Sequence, residues 1–394
     1  MYHLRQILIL VFCVLFFNFS WGQEIQFTRF SSTELGDERQ LQIYLPKDFG
    51  KDPNKTYPLT VILDSEPIFD AYLGIMQYYI KNGIAPEHII VGIQSTAEQA
   101  EYDFGINLST GFPDEFGMKY MNFVYELLDE LDKNYPLSLF TEIVGHGPKT
   151  GAFVNYFMVE KYPSFNAYIS IDPEYFEGFH YLISQKSKSL DDDYYFYYTN
   201  GYQGDEELFK DENLAVENAL EAVPYTSFKF YKSHVDSQDS YLRLSQGLAE
   251  ALRKFYSTFA AISLETYDLE IKNLGPKETI DYLETKYEKI QYLFGNVIEI
   301  RPEDIYLLES NIMDKENGDY LKDFGNMIVD LYPEEPMGYY YIGMYYEKGQ
   351  SYRKALVAYK QGFEKVSGRH ELYDGYYRNI ERVLQKINLK DSDN

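Results

Sequence analysis

The feature that most constrains the fold is an alternation of short apolar runs with helix-length segments between about residues 24 and 260. Strands joined through helices predict βαβ units, and therefore a doubly wound, mostly parallel α/β sheet with helices on both faces. The first one or two strands can instead pair antiparallel, as an edge hairpin. Seven runs have the length and composition of buried strands: Leu41–Leu45, Leu59–Leu63, Ile89–Ile93, Leu139–Val144, Ala167–Ile171, Tyr194–Tyr198 and Ser227–Tyr231.

The strand signals stop near residue 264, and the remaining chain is predicted to be all-α. The window from Pro336 to Arg369 has the length of one tetratricopeptide repeat, and Pro302 to Glu335 is a degenerate copy. Because a single repeat cannot bury its own apolar face, these helices are expected to stack on each other or on the first domain. Six residues fall at pattern positions of that repeat: Tyr339, Ile342, Gly343, Tyr346, Ala355 and Tyr359.

Residues 1–22 have the composition of a secretory signal peptide. Their apolar run, Ile7 to Phe17, is short for a bilayer span, although an uncleaved anchor is the alternative. The only cysteine, Cys13, lies in this run, so the mature chain would have no disulfide and no thiolate site. We therefore expect a bacterial protein exported to the periplasm or cell surface. The predicted segments are a signal peptide at 1–22, a sheet-based α/β domain at 23–262 and a helical, tetratricopeptide-like domain at 263–394.

Charge and spacing argue against several classes of function. The net charge of −26 disfavours nucleic acid and anionic membranes as partners. The histidines are not placed at metal-ligand spacing, and Asp191-Asp192-Asp193 lacks the central glycine of a calcium loop. We therefore predict no metal ion, no cofactor and no transmembrane span in the mature chain.

A Gly-rich turn, Gly145-His146-Gly147-Pro148-Lys149, separates a predicted strand from a predicted helix. Turns of the form G-x-S-x-G in this context carry a catalytic serine, and the next residue donates its backbone N–H to the oxyanion hole. Here Gly147 replaces the serine, and Pro148 has no N–H to donate. Two separate parts of acyl-transfer chemistry are therefore missing from the turn.

The same turn superficially suggests a phosphate loop, but Pro148 and Ile143 stand where that motif requires its two glycines. A helix N-terminus and the charge of Lys149 could still attract an anion there. A solvent-facing Lys149 in the first turn of a helix is the simpler alternative. We assign His146, Pro148 and Lys149 to a candidate pocket.

Several segments, in this order and spacing, resemble the esterase branch of the α/β-hydrolases, the group of esterase D and the enterochelin esterases. The resemblance covers about residues 24–260 and implies an α/β-hydrolase fold. It also implies a catalytic triad in the chain order nucleophile, acid, base. The segments that carry it are Leu41–Pro46, Val61–Asp64, Ile89–Ile93, Leu131–Tyr135, Val144–His146 and Ala167–Pro173.

The resemblance implies an acid after the sixth or seventh strand and a base after the last strand. Asp205 and His234 lie at those places, with Glu206 and Glu207 as competitors for the acid. Each has a simpler alternative, since Asp205 can be a helix N-cap and His234 an ordinary loop histidine. With Gly147, they would be the remnants of a triad without its nucleophile.

The expected function is therefore binding or scaffolding by a catalytically inactive esterase homologue in a cell-envelope complex. Loss of a triad serine costs about 10⁶-fold in kcat in subtilisin, which removes esterase-level turnover. A protein partner is expected to bind through the helical repeat region. The alternative is an active carboxylic-ester hydrolase with a non-standard nucleophile such as Thr150 or Ser233, or with a water activated by His234.

Overall fold

The computed structural model describes residues 25–107, 109–190, 193–200, 207–223, 228–295, 298–313, 315, 318–366, 368, 370 and 372–392. The predicted signal peptide and Asp205 lie outside these residues. Within them, no helix is both long and apolar enough to cross a membrane. The chain divides into two compact units, of which the first comprises Met1–Tyr256 with Leu293–Asn296 and the second comprises Ser257–Tyr292 with Val297–Asn394.

The first unit is built on an eight-stranded sheet in the order β1-β2-β4-β3-β7-β8-β9-β10. Strands β1, β2 and β4 pair antiparallel in succession, and every other pairing in the sheet is parallel. This confirms the predicted doubly wound sheet, and it places the hairpin at one edge. The strands are β1 (Ile25–Ser32), β2 (Asp37–Tyr44), β3 (Tyr57–Ile62), β4 (Ile89–Gln94), the two-residue strands β5 (Ile106–Asn107) and β6 (Phe112–Pro113), β7 (Leu137–His146), β8 (Ala167–Ile171), β9 (Tyr194–Asn200) and β10 (Phe228–His234).

Helices connect the parallel strands, and side-chain caps fix where several of them begin. The Asp114 carboxylate accepts hydrogen bonds from the amides of Phe116 and Gly117, which satisfies two otherwise unpaired N–H groups of the first turn. Thr96 and Gln99 form a reciprocal capping box at another helix. The helices are α1 (Ile68–Lys81), α2 (Ala97–Asp103), α3 (Glu115–Asn134), α4 (Pro148–Phe153), α5 (Tyr156–Val159), α6 (Phe179–Ser187), α7 (Glu207–Glu221) and α8 (Ser240–Phe255).

The central strands are buried along almost their whole length, as expected for a sheet covered on both faces. Glu142, in the middle of β7, is fully buried. Its two carboxyl oxygens lie 2.7 Å from the Tyr72 hydroxyl and 3.2 Å from the Tyr256 hydroxyl. The Tyr256 hydroxyl also lies 2.9 Å from Nε2 of the buried His88. A continuous polar chain therefore runs through the apolar core.

The second unit contains only helices among its described elements, in agreement with the prediction. A short π-helical segment, Tyr267–Ile271, follows its first helix. From α12 onwards, each helix packs against the next one in the chain. The helices are α9 (Leu264–Thr266), α10 (Pro276–Phe294), α11 (Pro302–Met313), α12 (Leu321–Leu331), α13 (Met337–Lys348), α14 (Tyr352–Phe363) and α15 (Tyr373–Ser392).

Glycines allow the closest approaches between these helices. A Cβ atom on Gly343 of α13 would lie 2.3 Å from the ring of Tyr359 on α14. A Cβ on Gly362 would lie 2.0 Å from the hydroxyl of Tyr376 on α15. Ala355 and Tyr359, two of the predicted repeat positions, are fully buried. The spacing of small and aromatic residues thus serves helix-to-helix packing.

Candidate functional site

The turn after β7 joins a strand to a helix through Gly147, at the position where a G-x-S-x-G turn has its serine. β7 ends at His146, and Pro148 is the first residue of α4. Gly147, between them, has φ +89° and ψ 174°, a conformation that is almost restricted to glycine. A Cβ atom on Gly147 would meet nothing within 4 Å. The turn therefore has room for a side chain at this position, and none is present.

Two other glycines allow the turn to close. A Cβ on Gly145 would lie 2.3 Å from the Thr150 carbonyl oxygen, and a Cβ on Gly151 would lie 2.7 Å from the Ile171 carbonyl oxygen. The close approach to β8 is thus made by Gly151. The G-x-S-x-G pattern would place its second glycine at position 149, where Lys149 is exposed.

A cluster of three charged or ionisable side chains lies beneath the turn. Arg243 of α8 donates from Nε to Oδ2 of Asp172 at 2.6 Å, and from Nη1 to the Ser237 carbonyl oxygen at 2.7 Å. Nε2 of His146 lies 3.9 Å from the same carboxylate oxygen. Asp172 follows β8 and has φ +53°, in the left-handed region. Arg243 thereby ties the loop after β10 to the end of β8, and the His146 side chain at the end of β7 lies beside this ion pair.

The cluster contains polar atoms without partners. Nε2 of His146 and Oδ1 of Asp172 are buried and have no hydrogen-bond partner among the described residues. Burial lowers the pKa of His146, and the nearby Arg243 guanidinium lowers it further, although the Asp172 carboxylate acts in the opposite direction. The imidazole is therefore neutral at pH 7.

Sequence reasoning identified His146 in this cluster but missed Asp172 and Arg243 as its partners. Asp172 had a usable signal, because it directly follows a predicted strand whose carboxyl end lies at the same sheet edge as the turn. The sequence signal for Arg243 was weaker, because it consists only of the position of Arg243 on the apolar face of α8, four residues before the buried Gly247. An arginine on the buried face of a helix calls for an acidic partner.

A groove of about 370 Å³ runs beside α4. Pro148 and Lys149 of the predicted pocket line it, but His146 is not among its lining residues. Nζ of Lys149 donates to the Glu101 carboxylate at 2.9 Å, so its charge is engaged in an exposed ion pair. The other lining residues are Phe104, Gly105, Ile106, Asp114, Ala152, Phe153, Glu174 and Phe176.

Of the predicted triad positions, only Gly147 and His234 lie among the described residues, and they lie far apart in the sheet. Asp205 and Glu206 lie outside the described residues, and Glu207 begins α7. His234 is the exposed last residue of β10. The sheet register runs from His146 through β8 and β9 to Ser233, so three strand spacings, about 14 Å, separate the end of β7 from the end of β10. A histidine side chain does not span that distance.

Of the two hydroxyls considered as substitute nucleophiles, Ser233 contacts other hydroxyls and Thr150 is buried. Ser233 Oγ lies 2.5 Å from the Tyr197 hydroxyl and 3.2 Å from Oγ1 of Thr199. Thr150 is buried in α4. Among the described residues, no group of three or more histidine, cysteine, aspartate or glutamate side chains could hold a metal ion.

Comparison with known proteins supports the fold. Residues 32–147 match the family model described as Putative esterase, a match that ends at Gly147. The crystal structure of an uncharacterised protein from Capnocytophaga ochracea DSM 7271 is 21% identical, with a TM-score of 0.78 over 92% of this chain and 100% of that chain. No curated protein matches the sequence.

Two further solved structures are similar over smaller parts of the chain. An IroE-like serine hydrolase from Shewanella oneidensis is 20% identical, with a TM-score of 0.55 over 77% of this chain and 98% of its own. The BES protein from Bacillus cereus is 16% identical, with a TM-score of 0.51 over 61% and 96%. At these identities the likeness shows the α/β-hydrolase fold alone.

Proposed function

We propose that this chain is an exported esterase-fold protein that has lost acyl-transfer catalysis and acts by binding, within a bacterial cell-envelope complex. The observation that carries the proposal is the Gly147-Pro148 pair at the turn after β7. Gly147 offers no attacking group, although its Cα faces open space. Pro148 offers no N–H where an oxyanion would be stabilised. Nucleophile and oxyanion donor are both absent from the one place where this fold provides them.

The Arg243–Asp172 ion pair supports the same conclusion. A general base must be able to lose its proton, and a guanidinium stays protonated in proteins. Arg243 holds the loop after β10 through the Ser237 carbonyl and binds the carboxylate next to the turn. The base of an active triad would have to work in this region, which a permanent cation occupies instead.

An active hydrolase with a substitute nucleophile is less well supported. The Ser233 hydroxyl contacts the hydroxyls of Tyr197 and Thr199, which are not bases at neutral pH. Burial raises the pKa of Tyr197, which makes a basic phenolate still less accessible. A nucleophilic hydroxyl needs an adjacent base, and the carboxylate of Glu250 contacts the Tyr197 hydroxyl rather than Ser233.

The binding role has two candidate surfaces. The groove beside α4 has the volume of a small-ligand pocket, with aromatic walls and charged side chains at Glu101, Lys149 and Glu174. The helical unit is the proposed site for a protein partner, because stacked helix pairs of the tetratricopeptide kind present extended surfaces. The predicted signal peptide supports export to the periplasm or cell surface.

Hydrolysis of short acyl esters by the purified protein tests the loss of catalysis. We expect rates equal to those of heat-denatured protein, and no change on His234→Ala. Turnover well above that background, abolished by His234→Ala, would show an active hydrolase and refute the proposal.

A further inference from the structure

A second cavity, of about 740 Å³, lies within the helical unit and is unusually basic for this chain. It is formed by the start of α12, the end of α13 and the start of α14. Its charged lining side chains are three lysines and one aspartate, in a protein whose net charge is −26. The three lysines are Lys322, Lys348 and Lys354, and Tyr346 lines the cavity with them.

Two of the lysines are directed at one aromatic ring. Nζ of Lys322 lies 6.0 Å from the centroid of the Tyr346 ring, and Nζ of Lys354 lies 5.5 Å from it. Neither lysine makes an ion pair with a carboxylate of the described chain, although acidic residues outnumber basic ones by 62 to 36. Like charges gathered at one ring repel each other, and a cation–π contact at an exposed site offsets only about 0.5–1 kcal/mol.

The start of α14 adds positive charge to the same place. The side chain of its N-cap, Ser351, makes no capping hydrogen bond, and the first turn has no acidic residue. That turn carries Lys354, although the positive end of a helix dipole favours acidic side chains. The cavity therefore has two electrostatically unfavourable features: two lysines close to one ring, and a helix N-terminus with neither a side-chain cap nor an acidic residue.

The third lysine is accommodated by the backbone. Nζ of Lys348 donates to the Met313 carbonyl oxygen at 3.4 Å. A Cβ on Gly318, which has φ +73°, would lie 2.9 Å from that ammonium group. Glycine at 318 therefore leaves the space that the Lys348 head group uses at the cavity wall.

We propose that this cavity binds an oxyanion with at least two negative charges, such as a phosphate ester or a polycarboxylate. Such a group would neutralise the ammonium groups of Lys322 and Lys354 and accept hydrogen bonds from them and from the first-turn amides of α14. Binding of such an anion would offset both the repulsion between the two lysines and the unfavourable positive charge at the start of α14. The site is separate from the turn after β7, and the two proposals stand or fall independently.

Calorimetric titration of the full chain at low ionic strength tests the proposal, with inorganic pyrophosphate and citrate as the two probes. We expect at least one probe to bind, and added salt to weaken it because the site is open to solvent. Lys322→Gln and Lys354→Gln should each weaken binding about fivefold, in line with the roughly 1 kcal/mol of an exposed charge pair. Lys360→Gln, the same change at the other end of α14, is the matched control and should bind normally.

The two probes identify the source of the anion. Binding of pyrophosphate but not citrate would indicate a phosphate ligand, and binding of citrate but not pyrophosphate would indicate a carboxylate ligand. Binding of both would show a site for multivalent anions of either kind, and each of these results supports the site. Lysine acetylation of the unaltered protein gives a second readout, in which the bound probe protects Lys322 and Lys354 but not Lys360. Absence of binding by both probes, or equal binding by the double lysine variant and the Lys360→Gln control, would overturn the proposal.

Discussion

Among single residues, Gly147 is the one on which the proposed loss of catalysis most depends, because it lacks a side chain and its backbone angles disfavour one. A non-glycine residue at φ +89° and ψ 174° costs about 1–3 kcal/mol, although space is open around the Cα. Gly147→Ser and Gly147→Ala should therefore lower the free energy of unfolding by similar amounts, measured by urea denaturation. Gly147→Ser should not hydrolyse esters, because Pro148 still lacks an N–H. Ester turnover by Gly147→Ser alone would show that the rest of the machinery is intact.

Arg243 gives a second prediction at this scale. Removing one member of a buried ion pair leaves the other charge uncompensated, which costs about 3–5 kcal/mol. Arg243→Met should therefore destabilise the first unit strongly in urea, and adding Asp172→Asn should restore part of the loss. Unfolding of Arg243→Met at the same urea concentration as the parent would contradict a stabilising role for the ion pair with Asp172.

The sequence predicted the turn after β7 but not the side chains that pack next to it. The missing serine and the proline were visible in five consecutive residues, because backbone chemistry is local. The pairing of Asp172 with Arg243 joins positions far apart in the chain, and only the sheet order brings them together. The predicted role of Asp205 remains a prediction.

At the scale of secondary-structure elements, the buried chain of Glu142, Tyr256 and His88 determines how stability depends on pH. Burial raises the pKa of Glu142 to about 8, although hydrogen bonds from Tyr72 and Tyr256 lower it. Burial lowers the pKa of His88 to about 3. With both groups neutral, Glu142 can donate to Tyr256 and Tyr256 to His88, so every member of the chain finds a partner.

The sign of the pH effect follows from the direction of the two shifts. The raised pKa of Glu142 means that its contribution to stability is complete below about pH 4.5 and is lost as the pH rises towards 8. The neutral His88 acts in the opposite direction only below about pH 6.5. Between pH 6.5 and 8, the Glu142 contribution should therefore fall by about 1.4 kcal/mol per pH unit.

Glu142→Gln tests this, because the amide keeps a donor and an acceptor in the same positions but cannot ionise. The difference in free energy of unfolding between parent and variant should change by that slope from pH 6.5 to 8 in urea titrations. Parallel curves for the two proteins would mean that Glu142 is ionised in the folded state.

Helix packing in the second unit gives a prediction about Gly343. A methyl group there would overlap the Tyr359 ring, and such overpacking costs about 1–3 kcal/mol. Gly343→Ala should therefore lower the thermal unfolding temperature of the full chain. Gly74→Ala in α1 is the control, because nothing lies within 4 Å of a Cβ there and the helix propensity of alanine favours it by up to about 1 kcal/mol. The same response from both variants would contradict this packing.

Each of the seven predicted strands overlaps an observed one. For β3, β7, β8 and β9 the reason is that buried parallel strands produce largely apolar runs. In the first unit, β1, α2, α6 and the two-residue strands β5 and β6 were not located in advance. β1 is largely exposed at the sheet edge, with Phe27 60% accessible, so it has no apolar run to recognise. The tetratricopeptide pattern remains a prediction, since helix pairing of this kind is common to many helical domains.

At the scale of the whole molecule, the chain joins a sheet-based unit to a helical unit. The first unit comprises Met1–Tyr256 together with Leu293–Asn296, which lie later in the chain. A local sequence pattern does not predict such a discontinuous unit. Binding through the groove or the helical unit needs only a stable scaffold, whereas catalysis needs a nucleophile at one defined turn. The turn after β7 has glycine and proline at the two positions where the G-x-S-x-G pattern places a nucleophile and an oxyanion-hole donor.

Covalent labelling of the folded protein with a fluorophosphonate probe, read by mass spectrometry, tests whether the chain has a reactive nucleophile. An active serine hydrolase in the same tube serves as the positive control. We expect the control to be labelled and this chain to carry no adduct at the turn after β7, in the groove beside α4 or at Ser233. An adduct on any of those side chains would contradict the account.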